Sequence, residues 1–238
     1  MKYLDYTFPT PQHNLACDEA LLELCEDGYG HDILRVWEPR EPFVVLGYSS
    51  RIAADVKLLP CRRARVPVFR RCSGGGTVLQ GSGCLNVSLI MRLDRSPMLA
   101  TITGTTAFVL QRHRDALEPV VGRAIAIEGL SDLAIDGLKF SGNAQRRKKR
   151  CVLFHGTVLL GLDLALVERC LALPQRQPAY RKRRTHRNFL TNLGVPANAV
   201  KTALTDSWRA VSPLEQLPEQ RIEELAGRYA STMWIQRC

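Results

Sequence analysis

No apolar run in this 238-residue chain approaches the roughly 20 residues that cross a bilayer, and Met1-Lys2-Tyr3-Leu4-Asp5-Tyr6 lacks the basic-then-apolar build of a secretory signal. A cytoplasmic protein without membrane contact is the expectation. Paired cysteines are also missing. The eight cysteines, Cys17, Cys25, Cys61, Cys72, Cys84, Cys151, Cys170 and Cys238, include no CxxC, which argues against a zinc site or a disulfide framework and for small buried thiols. Neither GxxxxGK(S/T) nor a helix-opening GxGxxG occurs, so the phosphate loop of the NTPases and the dinucleotide-binding fold are excluded. Acids are in short supply: 23 Asp and Glu face 33 Lys and Arg, a net charge of +10 that suits a negatively charged partner or substrate. With 45% apolar residues, no internal repeat and no linker before residue 190, the chain reads as one domain over residues 1–238.

Hydrophobic spacing alternates between helix and strand periods. Asn14–Asp27 is an amphipathic helix stopped by Gly28, and Ile33–Trp37 and Phe43–Leu46 are short strands around a proline turn. Val66–Arg71 and Cys84–Met91 are strands flanking a glycine-rich stretch, and Thr101–Leu117 is helical. From Ala124 the pattern predicts a meander: Ala124–Gly129, Asp132–Asp136, Leu138–Gln145, a basic turn, then Cys151–Leu160. Helices follow at Leu164–Leu173, Ala197–Ala210 and Pro218–Tyr229. Strands mixed with helices and no strict βαβ repeat indicate an α+β fold on a mixed, largely antiparallel sheet.

Two stretches carry chemistry. In Arg70-Arg71-Cys72-Ser73-Gly74-Gly75-Gly76-Thr77-Val78-Leu79, successive glycines leave backbone N–H groups bare, able to wrap an anion, behind two forked arginine donors. In Asp132–Gln145, a strand over Leu138–Ala144 puts Lys139 on one face with Ser141 and Asn143, and Leu138 and Phe140 on the other. His155-Gly156-Thr157 follows. His155 and His186 each lack a neighbouring carboxylate that would mark a triad, and a satisfied structural histidine is the plainer reading.

Taken together, RRCSGGGTV…LNVSLI and DLAIDGLKFSGNAQ…HGTVLL resemble the lipoate–protein ligase A family, within the biotin and lipoate protein ligases and octanoyltransferases. NLACDEALL, LRVWEPREPFVVLG and PAYRKRRTHRNFLTNLG extend the resemblance over most of the chain. It implies a biotin/lipoate protein ligase type of catalytic domain that joins lipoate or octanoate to a carrier lysine, using ATP and Mg2+. By position it implies nucleotide or acyl-adenylate contacts at Arg71, Gly74, Gly75, Gly76, Thr77, Val78 and Leu79. The essential lysine falls on Lys139, and acyl-pocket positions on Arg70, Ser73, Asn86, Ser141, Gly142, His155 and Gly156. Fixed cations and backbone donors suit a reaction that joins two anions.

Departures qualify this. Where ligases of the family continue with His-Asp, this chain has Gln80-Gly81, so an expected carboxylate is absent. The chain also has no room for the accessory domain of two-domain ligases, which implies a separate accessory subunit or a different acyl source. The different source would make it an octanoyl or lipoyl transferase with a thiolate near Lys139. No cysteine occurs from His155 to Gly161, and Cys170 falls in a predicted helix, which leaves Cys84 and Cys151 as alternative nucleophiles and favours the ligase. Between Gly142 and Arg187, twelve Lys or Arg face two acids. The expected reading is docking of an acidic lipoyl carrier, of the 2-oxoacid dehydrogenase E2 or glycine cleavage H-protein type, through Arg146, Arg147, Lys148 and Lys149 at the pocket rim. Solvated turns come next. Nucleic acid comes last, because aromatics scarcely interleave with the basic tracts.

Overall fold

Period-two alternation dominates the middle of the chain, and the computed structural model, which describes residues 1–237, resolves it into an eight-stranded and a three-stranded sheet. Cys238 lies outside the described residues. The strands are β1 (Lys2–Asp5), β2 (Ile33–Trp37), β3 (Phe43–Leu46), β4 (Val68–Arg70), β5 (Val78–Gln80), β6 (Cys84–Arg92), β7 (Ala126–Glu128), β8 (Asp132–Ile135), β9 (Leu138–Arg147), β10 (Cys151–Leu159) and β11 (Ser212–Pro213). The helices are α1 (Pro11–Glu26), α2 (Ile52–Asp55), α3 (Leu58–Arg63), α4 (Ile102–Val121), α5 (Leu164–Cys170), α6 (His186–Phe189), α7 (Ala197–Trp208), α8 (Glu219–Ala230) and α9 (Thr232–Ile235). No helix among the described residues is long and apolar enough to cross a membrane.

The large sheet has the order β11-β1-β2-β6-β10-β9-β8-β7, parallel where β1 meets its two neighbours and antiparallel elsewhere. This is the expected mixed, largely antiparallel α+β architecture. The small sheet, β4-β3-β5, carries the glycine-rich loop between its outer strands. Strands β1 and β5 went unread in the sequence because three or four residues are too few to display a period. Helix α1 begins at Pro11, before the expected start, since proline at the first helical turn gives up only an N–H that has no helical partner.

Three apolar layers fix these elements. Leu34, Val36, Leu89 and Phe154 pack one face of the large sheet against Val109 and Leu117 of α4 and Leu204 of α7. Ile33, Ile90 and Leu153 pack the other face against Leu21 and Leu22 of α1 and Ile222 and Leu225 of α8. Val44, Leu46, Leu79, Cys61 and Val167 close the small sheet against α3 and α5. Each fully buried side chain of this size contributes roughly 1.5–3 kcal/mol relative to exposure.

One irregularity matters for the site. Ala134 pairs with Lys139 but its neighbour Leu133 pairs with Ser141, so Phe140 is an extra residue in β9. The extra residue re-phases the strand. Lys139 therefore shares its face with Asp132 and Gly142, whereas Ser141 and Asn143 fall on the opposite face, contrary to simple alternation. Gly156 pairs directly with Asn143, and a Cβ added to it would lie 1.9 Å from Asn143 Oδ1. Asn143 cannot easily yield, since its Nδ2 donates to Ser131 O at 2.9 Å. Gly156→Ala is therefore expected to cost about 1–3 kcal/mol in urea unfolding. In an Asn143→Ala background the same change should cost less, the remainder coming from Gly142 O, 2.9 Å from the added Cβ; equal costs in both backgrounds would refute this account of the glycine.

Candidate active site

The glycine loop leaves β4 at Arg70 and returns to β5 at Val78, crossing the large sheet on the way. Gly75 sits at φ +85°, and a Cβ there would lie 3.5 Å from the Cβ of Ala144. On its other side, a Cβ on Gly47 would lie 2.0 Å from the Gly75 carbonyl oxygen. Gly47 must stay bare for the loop to close over it, and Gly75 is kept bare by its left-handed backbone and by Arg71 Nη2, 2.9 Å from an added Cβ. Two residues along β9, the Lys139 side chain crosses Gly142 so closely that a Cβ would come within 2.5 Å of Nζ. The fold thus joins the two sequence stretches at one place.

The loop offers donors on one side and is stitched on the other. The N–H groups of Gly74, Gly75 and Gly76 make no hydrogen bond among the described residues. Arg71 curls back beneath the loop: Nη2 donates to Gly74 O at 2.6 Å and Gly76 O at 2.9 Å, and Nε to Ser73 Oγ at 3.0 Å. Burial lowers its pKa to about 10, which leaves it charged at neutral pH. Thr77 Oγ1 donates to Asp55 Oδ2 at 2.6 Å, tying the loop exit to α2. Val78 and Leu79 lie in β5, and the Leu79 side chain is buried in the third apolar layer, so only its backbone faces the loop.

Lys139 is held from both sides. Its Nζ lies 2.7 Å from Asp132 Oδ1, and Tyr180 donates its hydroxyl to Asp132 Oδ2 at 2.8 Å. A quarter of the lysine side chain remains exposed, enough to meet a ligand. Neither Asp132 nor Tyr180 was singled out in the sequence. Asp132 becomes visible only once the bulge sets Gly142 opposite it, and Tyr180 comes from a segment 41 residues beyond Lys139.

Registered pairing across the large sheet makes two rows on this face: Trp37, Asn86, Thr157, Gly142 and Asp132, and beside it Arg35, Ser88, His155 and Ala144. In the first row Gln80 reaches down from the small sheet. Gln80 Nε2 donates to Thr157 Oγ1 (2.6 Å), which donates to Asn86 Oδ1 (2.7 Å), while Asn86 Nδ2 donates to Gln80 Oε1 (3.0 Å). The residue standing where a family histidine was expected thus closes a neutral, self-satisfied ring.

The second row is charged. Ser73 Oγ lies 2.5 Å from His155 Nε2, and His155 Nδ1 lies 3.4 Å from Asp18 Oδ2. Asp18 also accepts from Ser88 Oγ at 2.8 Å and pairs with Arg35 at 2.5 Å. Burial alone would raise the Asp18 pKa, but the Arg35 cation, His155 and Ser88 outweigh it and hold the carboxyl below its usual range. His155 thus does have a carboxylate, supplied by α1 and 137 residues away. A signal existed: Asn14 and Asp18 are spaced one helical turn apart, and both bond Arg35.

Several expected site residues stand elsewhere. Arg70 is fully buried and gives Nη1 to the carbonyls of Gly47, Tyr48 and Ser50, and Nε and Nη2 to that of Ile235, so it clamps loops and not the acyl chain. Ser141 lies on the opposite face, and Gly156 makes room for Asn143 there. Cys84 is buried among Val44, Leu79 and Leu159, and burial pushes its thiol to about 12. Cys151 sits at the far end of the β9–β10 hairpin, where burial, with Glu26 and Asp32 nearby, pushes its thiol to about 11. Neither is a thiolate at neutral pH. All seven described cysteines are buried and unpaired, as the spacing implied.

The basic turn is also misplaced relative to expectation. It closes the end of the hairpin opposite Lys139, about 25 Å along β9 at the usual strand rise. Arg147 caps the carbonyls of Leu99 and Ala100, Lys148 pairs with Glu23, and the N–H groups of Lys149 and Arg150 donate to Glu26. Arg146 lies over the Tyr48 ring at 5.4 Å. Arg147, Lys148 and the Lys149 backbone thus fasten the hairpin to α1 and α4, whereas Arg146 stays exposed on the Ala144 face, over Tyr48, whose N–H donates to Ser73 O at the loop entrance.

The Asp18–Arg35 pair generates a stability prediction. Asp18→Ala leaves Arg35, already without an acceptor at Nε, as a buried cation lacking its counter-charge. The expected loss is about 3–5 kcal/mol in denaturant unfolding, with most of it recovered when Arg35→Met is added. A single-variant loss under about 1 kcal/mol would show that the pair is not the anchor of this layer.

Comparison with known proteins places this geometry. The family model of the lipoyl protein ligase A/B catalytic domain matches residues 10–207, which include the glycine loop, Lys139 and His155. A chain ascribed to lipoate-protein ligase A in Aeropyrum pernix is 31% identical over 226 residues, covering 93% of this chain and 79% of its own. The octanoyltransferase LipM of Geobacillus kaustophilus is 24% identical over 269 residues, covering 98% and 96%. Among solved structures, the bi-partite lipoate protein ligase of Thermoplasma acidophilum, studied with its E2 lipoyl domain, superposes with a TM-score of 0.81 at 22% identity over 99% of this chain and 95% of its own. A lipoate-protein ligase A bound with ATP gives 0.81 at 22% identity over 99% and 98%. The chain belongs to the lipoyl protein ligase A/B catalytic-domain family and is an enzyme of the ligase or lipoyl/octanoyl transferase type.

Proposed function

We propose that this protein activates lipoate or octanoate as an acyl adenylate with ATP and transfers the acyl group to a lysine of a lipoyl carrier domain. The observation that carries the reading is that the glycine loop, with the N–H groups of Gly74, Gly75 and Gly76 unpaired, rests on Ala144 of β9, two residues from Gly142, which the Lys139 side chain crosses. In the first step a carboxylate oxygen attacks the α-phosphorus and pyrophosphate departs. Both reactants are anions, so a fixed cation and backbone donors aimed at the forming centre lower the barrier. In the second step the carrier amine attacks the acyl carbon, AMP departs, and the amine gives up its proton. Asp132, hydrogen-bonded by Tyr180, keeps the Lys139 ammonium in place throughout.

The ATP-bound structural neighbour and the lipoate ligase relative support ATP and lipoate as substrates. Among the described residues no three His, Cys, Asp or Glu converge on a metal position, and Asp132 and Asp55 are each engaged by side chains. Mg2+ would arrive on the nucleotide phosphates. The bi-partite neighbour supports a separate accessory subunit and an E2-type lipoyl domain as acceptor.

The test incubates the protein with octanoate or lipoate, ATP-Mg and a lipoyl domain, in parallel with octanoyl carrier protein as donor, and reads product by intact mass. Acylation from free acid and ATP is expected. Lys139→Met should lower it at least about 10²-fold, whereas Cys84→Ala and Cys151→Ala should keep most activity. Acylation from the carrier-bound donor alone, or an acyl thioester trapped on either cysteine, would replace the ligase reading with the transferase.

A further inference from the structure

The exposed corner Lys182–Arg183, and not the hairpin turn, carries free positive charge beside Lys139. The segment around it is pinned to the site: Tyr180 donates to Asp132, Arg184 Nη2 donates to Gly137 O at 2.8 Å, and Thr191 N donates to Lys139 O at 2.9 Å. Within the tract Arg181-Lys182-Arg183-Arg184 the four cations divide into two roles. Arg181 and Arg184 turn inward, each giving Nε to the other's carbonyl oxygen and stacking on the Phe189 ring at 4.6 and 5.3 Å. Lys182 and Arg183 turn outward, are exposed, and make no ion pair or side-chain hydrogen bond among the described residues.

Their backbone is strained. Both residues adopt the left-handed conformation, with φ 51° and 56°, which costs about 1–2 kcal/mol for each residue other than glycine. A corner that only had to turn through solvent would relieve this with Gly or Asn. Keeping two long cations there makes sense where their charge is used. The surface next to them also holds an apolar contact: Leu130 is 92% exposed, and its neighbour Gly129 packs against Pro178 and Tyr180.

We infer that Lys182 and Arg183, with Leu130, form the surface on which an acidic lipoyl-type carrier domain docks to bring its lysine to Lys139. The inference rests on the proposed acyl transfer, and the occupant follows from charge: twelve cations face two acids over residues 142–187, and this outward pair is unpaired in a segment bonded through Tyr180 to Asp132, the partner of Lys139. Exposed charges at such a rim act chiefly through encounter and are screened by salt.

The test measures binding of a fluorescently labelled, acidic E2 lipoyl domain by anisotropy at low and near-physiological salt. The variant K182N/R183N removes charge while keeping residues that tolerate the left-handed backbone. It is expected to bind at least about 10-fold more weakly at low salt, with a flatter salt dependence. The control K149A/R150A, on the hairpin turn, is expected to bind like wild type. Unchanged binding by K182N/R183N, a larger loss in the control, or wild-type protein that retains DNA but not the lipoyl domain would overturn the inference. Octanoate-dependent ATP–pyrophosphate exchange, run on the same samples, reads the first step alone. Its absence in wild type would sink the adenylation reading, while the anisotropy would still decide the docking surface.

Discussion

The site depends on a backbone contact. Gly47 meets the Gly75 carbonyl so closely that even a Cβ would lie 2.0 Å from it, and Gly75, at φ +85°, rests in van der Waals contact with Ala144 of β9. Because the glycine loop belongs to the small sheet and β9 to the large one, this contact is where the two sheets define a common surface. The unpaired loop N–H groups and Lys139 are brought to neighbouring positions because the loop rests on Ala144, two residues along β9 from Gly142, which the lysine side chain crosses. Catalytic electrostatics need fixed donors, and this arrangement fixes them by packing.

A second constraint lies under the loop. Asp18 on α1, Arg35 on β2, Ser88 on β6, His155 on β10 and Ser73 at the loop entrance form one buried chain of polar contacts. A buried pair of this kind is weak evidence for added stability, but breaking it leaves an uncompensated charge. Its consequence is positional: the loop entrance is tied through His155 of β10 to Asp18 of α1, which Arg35 of β2 and Ser88 of β6 hold in place. The neutral ring of Gln80, Asn86 and Thr157 does the same for the loop exit without any charge. Where the family pattern led to the expectation of a His-Asp pair, this chain has Gln80-Gly81, and the Gln80 amide is satisfied by Asn86 and Thr157.

Much of this was legible in the sequence, and the remainder was hidden for physical reasons. The meander from Ala126 to Leu159 and helices α1, α4, α7 and α8 announced themselves because their apolar periods extend over enough residues. The glycine loop and the Lys139 strand were visible as local composition. The facing of Ser141 was misread because a single-residue bulge has no compositional mark, and alternation carried past it gives the wrong side. Arg70 and Arg71 look alike in sequence, yet one is consumed by four main-chain carbonyls outside the loop and the other by the loop itself. The carboxylate behind His155 is 137 residues away, and no local reading could find it. Charge density pointed to the Arg146–Lys149 turn for docking; the bonds of Arg147 to Leu99 O and Thr105, of Lys148 to Glu23 and of Lys149 N–H to Glu26 show that much of this turn is occupied.

The central claim is that the glycine loop and Lys139 form one anion-binding surface for an acyl adenylate. Calorimetric titration with an unreactive octanoyl-sulfamoyl adenosine measures this without turnover. The wild-type protein should bind it tightly and with one site, and Gly75→Val and Lys139→Met should each weaken binding at least about 10²-fold while leaving the unfolding midpoint of the Lys139 variant unchanged. Equal affinity in wild type and Lys139→Met, or no binding by the wild type, would contradict the account.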